Sequence, residues 1–126
     1  HDLGLWYEVR REILSGLPVL GTCAGLIMLD RLHLNTMDIL AKRNAYGRQL
    51  GSFHTVEELR GVGHVPMTFI RAPYIAEAGK DVEVLAKVDG HIVAARQGHQ
   101  LVTAFHPELD GDTHIHQTLL DMASQR

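Results

Sequence analysis

The sequence predicts an α/β domain built on a mixed sheet, and three observations carry that reading. Helix-period and strand-like segments interleave along the chain instead of segregating into halves. The strand-like runs are short and apolar, as residues 18–20 and 101–105 illustrate. Two of them, 82–88 and 91–95, flank Asp89-Gly90, a strong hairpin signal that brings antiparallel pairing into the sheet.

Each element has its own local reason. Leu5, Trp6, Val9, Ile13 and Leu14 recur at helical spacing with charged residues between them, and Gly16 stands just past the expected helix end. Residues 18–20 read as a strand. Residues 24–32 read as a second helix, with Leu26, Ile27, Met28 and Leu29 on a broad apolar face. Residues 39–41 and 49–53 read as short strands around Arg43-Asn44-Ala45-Tyr46-Gly47-Arg48. Residues 65–70 form another strand, ended by Arg71-Ala72-Pro73. After the hairpin, residues 101–105 are a buried strand that stops at His106-Pro107-Glu108. Residues 113–123 close the chain as an amphipathic helix, with Ile115, Leu119, Leu120 and Met122 as core candidates.

With 126 residues, one domain spanning 1–126 with a single core is expected. An apolar content of 45% and a charged content of 21% fit an ordinary soluble globular protein. The net charge of -3 gives no ground for a nucleic-acid or anionic-membrane partner. No apolar run approaches the ~20 residues of a bilayer span. His1-Asp2-Leu3-Gly4 lacks the basic and apolar parts of a signal peptide. The single cysteine cannot form an internal disulfide, so a reducing cytoplasm is the expected setting. Glu57-Glu58 and Arg10-Arg11 read as solvated faces.

That cysteine lies in Gly21-Thr22-Cys23-Ala24-Gly25, between a strand and a helix. Glycines two residues to either side permit a tight turn with Cys23 held in strained geometry at its apex. This is the mechanics of the nucleophile elbow, with cysteine in place of serine. The helix beginning at Ala24 directs its N–H groups and positive dipole end at the sulfur, which favours thiolate, and the Ala24 N–H is placed to donate to an oxyanion. The competing reading is a structural cysteine, since free cysteine is among the most buried residue types.

A thiol nucleophile needs a base that later protonates the leaving group. Of the nine histidines, His106 stands out because it ends an apolar strand, and sites in α/β sheets form at the carboxyl ends of strands. Glu108, two residues on across Pro107, is placed to accept the other imidazole N–H and so set the tautomer. A surface histidine is the alternative for His106 alone. His114 and His116 are two apart on a helix and share no face, so no metal-ligand set is expected. His1, His33, His54, His64, His91 and His99 fall near turns or strand ends and read as solvent-exposed.

The GTCAG stretch followed by an apolar helix, together with Phe105-His106-Pro107-Glu108-Leu109, resembles the class I, triad-type glutamine amidotransferases. Arg43-Asn44-Ala45-Tyr46-Gly47-Arg48-Gln49, Phe69-Ile70-Arg71-Ala72-Pro73, Val93-Ala94-Ala95-Arg96-Gln97-Gly98 and the tail 112–122 resemble its branch of glutaminase subunits of pyridoxal 5′-phosphate synthase. The resemblance runs along nearly the whole chain. It implies a three-layer, flavodoxin-like mixed-sheet domain that hydrolyses L-glutamine to glutamate and ammonia through a γ-glutamyl thioester. It implies Cys23 as nucleophile, His106 as base and acid, Glu108 as its orienter, and Arg43, Ile70 and Arg71 in the glutamine pocket. It further implies ammonia transfer to a synthase subunit in a hetero-oligomer, a glutaminase nearly idle until it docks there, and no cofactor or metal.

The sequence departs from that family in several respects, the family's first strands and first helix being among the parts with no counterpart in it. A Gly-Gly-Glu-Ser segment, which supplies an oxyanion-hole N–H upstream of the cysteine, does not occur in it. The expectation is therefore a domain shortened at its N-terminus, with a short connection over residues 32–39. Losing one such donor typically slows catalysis about 10²–10³-fold. Two other readings follow. The chain could bind the synthase without chemistry, or it could be another cysteine amidohydrolase, against which Arg43 and Arg71-Ala72-Pro73 stand.

Overall fold

A computed structural model describes residues 3–43, 52–111 and 113–124. The first helix, α1 (Leu3–Leu14), stops where its periodicity ends: Gly16, at φ 111°, donates its N–H to the Ile13 carbonyl at 3.1 Å. Ile13 is buried and Trp6 partly so, while Leu5, Val9 and Leu14 are exposed. Arg10, expected on a solvated face, instead reaches across to the Leu34 carbonyl at 2.8 Å.

Strand β1 (Val19–Thr22) leads into helix α2 (Ala24–Met28). That helix is shorter than the 24–32 expected, and Asp30 explains why. Its buried carboxylate accepts from the Leu32 N–H at 2.9 Å, the His33 ring at 2.7 Å and the Ala41 N–H at 3.1 Å. A side chain that captures backbone donors in this way competes with the helical ladder and turns the chain. Leu26 and Leu29 are buried, whereas Met28 is exposed.

The main sheet takes β1, then β2 (Ile39–Lys42), β5 (Tyr74–Ala78), β6 (Glu83–Val88), β7 (His91–Gln97) and β8 (Gln100–Thr103). Its order is β1-β8-β7-β5-β2, with β6 paired to β7. The expected hairpin is present: Val88 pairs with His91, and Asp89 and Gly90 both have positive φ, 52° and 81°. Such a turn matches the twist of its strands. A second sheet, β3 (Ser52–Leu59) against β4 (Gly63–Ile70), forms a separate antiparallel ribbon. Strand β5 was not anticipated. The part of the 49–53 strand before Ser52 lies outside the described residues.

One register decides where a site can form. β1 and β8 are parallel, Val19 opposite Gln100 and Thr22 opposite Thr103, so both strands end at the same edge. Phe105 and Phe69 are fully buried just beyond that edge, ring centroids 5.8 Å apart and edge-on, with Phe53 stacked on Phe69 at 4.6 Å. The last helix, α3 (His114–Ser124), buries Ile115 and Met122, but Leu120 is exposed, contrary to expectation. No helix among the described residues is long and apolar enough to cross a membrane.

Candidate active site

The elbow is formed as the glycine pattern requires, though by one glycine more than the other. Cys23 has φ 53° and ψ −104°, a conformation L-residues rarely adopt and one that costs about 1–3 kcal/mol. It is held from both sides: its N–H donates to the Thr103 carbonyl at 2.9 Å, and its carbonyl accepts from Ile27 N–H at 3.3 Å. A Cβ at Gly21 would meet the Gly25 carbonyl group at 2.9 Å, so Gly21 is what lets the first turn of α2 lie on β1. A Cβ at Gly25 would meet nothing within 4 Å. The contribution expected of Gly25 to the tight turn is therefore not a steric one.

The partner residues arrive from β8. Beyond Thr103 the chain bends as the Thr103 hydroxyl donates to the Phe105 carbonyl at 2.8 Å and Ala104 N–H to the Val93 carbonyl at 2.8 Å. Strand pairing thus stops two residues earlier than the expected 105. The bend brings His106 Nε2 to 3.1 Å from Cys23 Sγ, with the Ala104 carbonyl at 3.3 Å as a second acceptor for the thiol. His106 caps a 3-10 turn, Pro107–Asp110, from which the Glu108 Oε2 lies 2.9 Å from His106 Nδ1. An ionised carboxylate only accepts, so Nδ1 carries the proton and the Nε2 lone pair faces the sulfur.

The electrostatics differ from the helix-dipole expectation. Burial pushes the Cys23 thiol up to about 11, and the negative charge of Glu108 adds to the effect. α2 has only five residues, and a half-buried sulfur loses more from desolvation than so short a helix returns. The resting group is a neutral thiol beside a base. Glu108 moves the other way: its own backbone N–H, and after it the His106 ring and nearby His116, hold its carboxyl below the usual range against a smaller desolvation penalty.

Ala24 is the first residue of α2, so its N–H has no partner within the helix and stands beside Cys23. Ile70 and Arg71 lie at the end of β4, both exposed, Arg71 at φ 45°. They follow Thr68, whose carbonyl accepts the His106 N–H at 3.0 Å, so the chain places them within roughly 10 Å of that turn. Arg43 is exposed just after β2, the strand farthest from β1 in the sheet order, and no bond joins it to the triad among the described residues. The Asn44 to Gln49 part of its motif lies outside them.

Sequence reading did not single out Thr68 and Asp110, and His54, read as solvent-exposed, is exposed yet also faces Asp110. The Asp110 carboxylate accepts from the Thr68 hydroxyl at 2.9 and 3.0 Å and lies 3.2 Å from His54 Nε2. Residues 42 and 56 positions apart carry no pattern that could announce such contacts. His33 is exposed as expected, though its ring also bonds Asp30, whereas His91, read as solvent-exposed, is half-buried against the Tyr74 ring. Among the described residues no group of three or more His, Cys, Asp or Glu converges as a metal site would require.

Residues 2–125 match the profile of the SNO glutamine amidotransferase family. A Streptococcus pneumoniae (strain CGSP14) protein named pyridoxal 5′-phosphate synthase subunit PdxT is 54% identical over 132 aligned residues, covering 99% of this chain and 68% of that protein. The PdxT protein of Methanocorpusculum labreanum is 56% identical over 127, covering 96% and 67%. A solved glutamine amidotransferase superposes with a TM-score of 0.88 at 38% identity, covering 96% of this chain and 69% of the other. A putative GMP synthase component from Thermoplasma acidophilum gives 0.70 at 17% identity, covering 98% and 66%, a likeness of fold alone.

Proposed function

We propose that this chain, which belongs to the SNO glutamine amidotransferase family, hydrolyses L-glutamine to glutamate and ammonia and passes the ammonia to a synthase subunit that makes pyridoxal 5′-phosphate. The observation that carries the chemistry is the 3.1 Å approach of His106 Nε2 to Cys23 Sγ, with Glu108 behind the ring. The relatives' shared name, subunit of pyridoxal 5′-phosphate synthase, carries the partner.

The reaction follows from the geometry. As Cys23 attacks the γ-carboxamide carbon, its proton moves to His106 Nε2, and the new imidazolium is stabilised by Glu108. Because burial raises the thiol, the proton has to be taken up by His106 for the sulfur to react. The oxyanion of the tetrahedral intermediate accepts the Ala24 N–H. The C–N bond then breaks, His106 returns its proton to the departing nitrogen, and ammonia leaves behind a γ-glutamyl thioester. Water, deprotonated by His106, attacks the thioester; glutamate departs and the thiol is regenerated. Neither half needs a metal or a cofactor. Ile70 and Arg71 contribute to the glutamine pocket in this reading, and Arg43 is assigned to it by resemblance alone. A lone reactive cysteine suits the reducing cytoplasm.

The test is glutamate release measured with and without the synthase subunit. Activity is expected with the partner present, and Cys23→Ala abolishes it. Turnover retained by Cys23→Ala overturns the mechanism. No turnover in either condition, with the complex formed, favours a chain that only binds the synthase.

A further inference from the structure

We propose that Asp110 is a positioning residue: it locks the turn bearing His106 and Glu108 to the β3–β4 ribbon through Thr68. The inference rests on the reading of Cys23, His106 and Glu108 as the reacting set. Asp110 takes no part in that chemistry, yet its side chain is only 11% exposed, an expensive place for a carboxylate without a role. Both its oxygens are engaged by the Thr68 hydroxyl, and Oδ1 also by His54 Nε2. Charge-assisted bonds of this kind are the stronger ones.

Thr68 holds the turn at both ends. Its carbonyl accepts the N–H of His106, the residue that opens the turn, and its hydroxyl donates to Asp110, the residue that closes it. Between these anchors sits Glu108, itself 56% exposed. Gly111, at φ 64°, then lets the chain leave the turn immediately. The ribbon that Thr68 belongs to also carries Ile70, with Arg71 just beyond its end. The clamp therefore sets the reacting imidazole and the expected substrate pocket in one rigid relation. His54 comes from β3, His106 and Glu108 from the turn, and His116, close enough to act on Glu108, from α3.

The test is the rate of Cys23 alkylation by iodoacetamide in the intact protein, followed by mass spectrometry, which needs no glutamine turnover. Since a misplacement near 1 Å can cost up to about 10²-fold, Asp110→Ala is expected to slow alkylation about tenfold. Asp110→Asn keeps an acceptor for Thr68 and should restore the rate to within about twofold of wild type. Thr68→Val should slow the reaction as Asp110→Ala does, and the double variant no further, because both remove one interaction. A merely loosened fold would expose the sulfur and speed the reaction, so direction separates the two roles. Arg31→Ala, which breaks the pairs to Asp38 and Glu77 elsewhere, serves as the stability control. Asp110→Ala reacting at or above the wild-type rate overturns the proposal, as does a double variant slowed by the product of the single effects. If Asp110→Ala shows no cooperative melt, Thr68→Val decides by the same criterion. His106→Ala tests the underlying reading separately: unchanged alkylation there refutes the reacting set and leaves the Asp110 result identifiable.

Discussion

The two halves of the site are held by different physics. The Cys23 half is steric: a positive-φ residue between a strand and a five-residue helix, with Gly21 giving the space in which they touch. The His106–Glu108 half is polar: a short turn held to its neighbours by hydrogen bonds, its carboxylate largely in solvent. The steric half resists change through packing and fails abruptly when a Cβ is added. The polar half responds to charge and acceptor geometry and should lose function without losing the fold.

The largest expected effect lies in the polar half. Glu108→Gln removes the charge that stabilises the imidazolium and should lower kcat of glutamine hydrolysis by about 10²-fold or more, while leaving stability within about 0.5 kcal/mol. A large fall in melting temperature would erase the distinction between the halves. Next comes Gly21→Ala. A Cβ at 2.9 Å from the Gly25 backbone forces β1 and α2 apart, and overpacking of this kind costs about 1–3 kcal/mol, read by denaturant titration. An unchanged unfolding midpoint would show that the elbow is not sterically set.

A smaller effect is expected from pH. The Cys23 thiol lies at about 11 in the folded chain against an ordinary value of 9.0, so the folded state binds more protons between these values. Its contribution is complete below about 9 and is lost as pH rises through 11, so stability should fall across that window and Cys23→Ala should flatten the slope. Glu108 has the opposite sign: its lowered carboxyl favours the folded state above its ordinary pKa, and that preference fades as pH falls. The smallest effect is Gly25→Ala. With open space around its Cβ and a place inside α2, alanine should be neutral or stabilise by up to about 1 kcal/mol. Destabilisation there would restore the symmetric role that the sequence pattern implies for both glycines.

Much of this arrangement was legible in advance because it is local. The elbow announces itself by glycine spacing, the Asp89-Gly90 hairpin by turn chemistry, and the His106–Glu108 pair by a proline-stiffened separation of two. What escaped was non-local. α2 was read too long because the capture of Ala41 N–H by Asp30, eleven residues away, leaves no mark in helical periodicity. The exposure of Leu120 and of the α1 face likewise depends on what packs against them, which a hydrophobic pattern does not specify.

The identities and spacing of residues sufficed to single out Cys23, His106 and Glu108 as candidates, because the elbow and the His106–Glu108 pair each depend on neighbours within a few positions. The fold alone settled that β1 and β8 run parallel and end together, which brings residues 83 positions apart to 3.1 Å. It also set the burial that raises the Cys23 thiol, and the Thr68–Asp110 anchor. Desolvation and cross-chain hydrogen bonds depend on what surrounds a group in space, and linear order does not encode those surroundings.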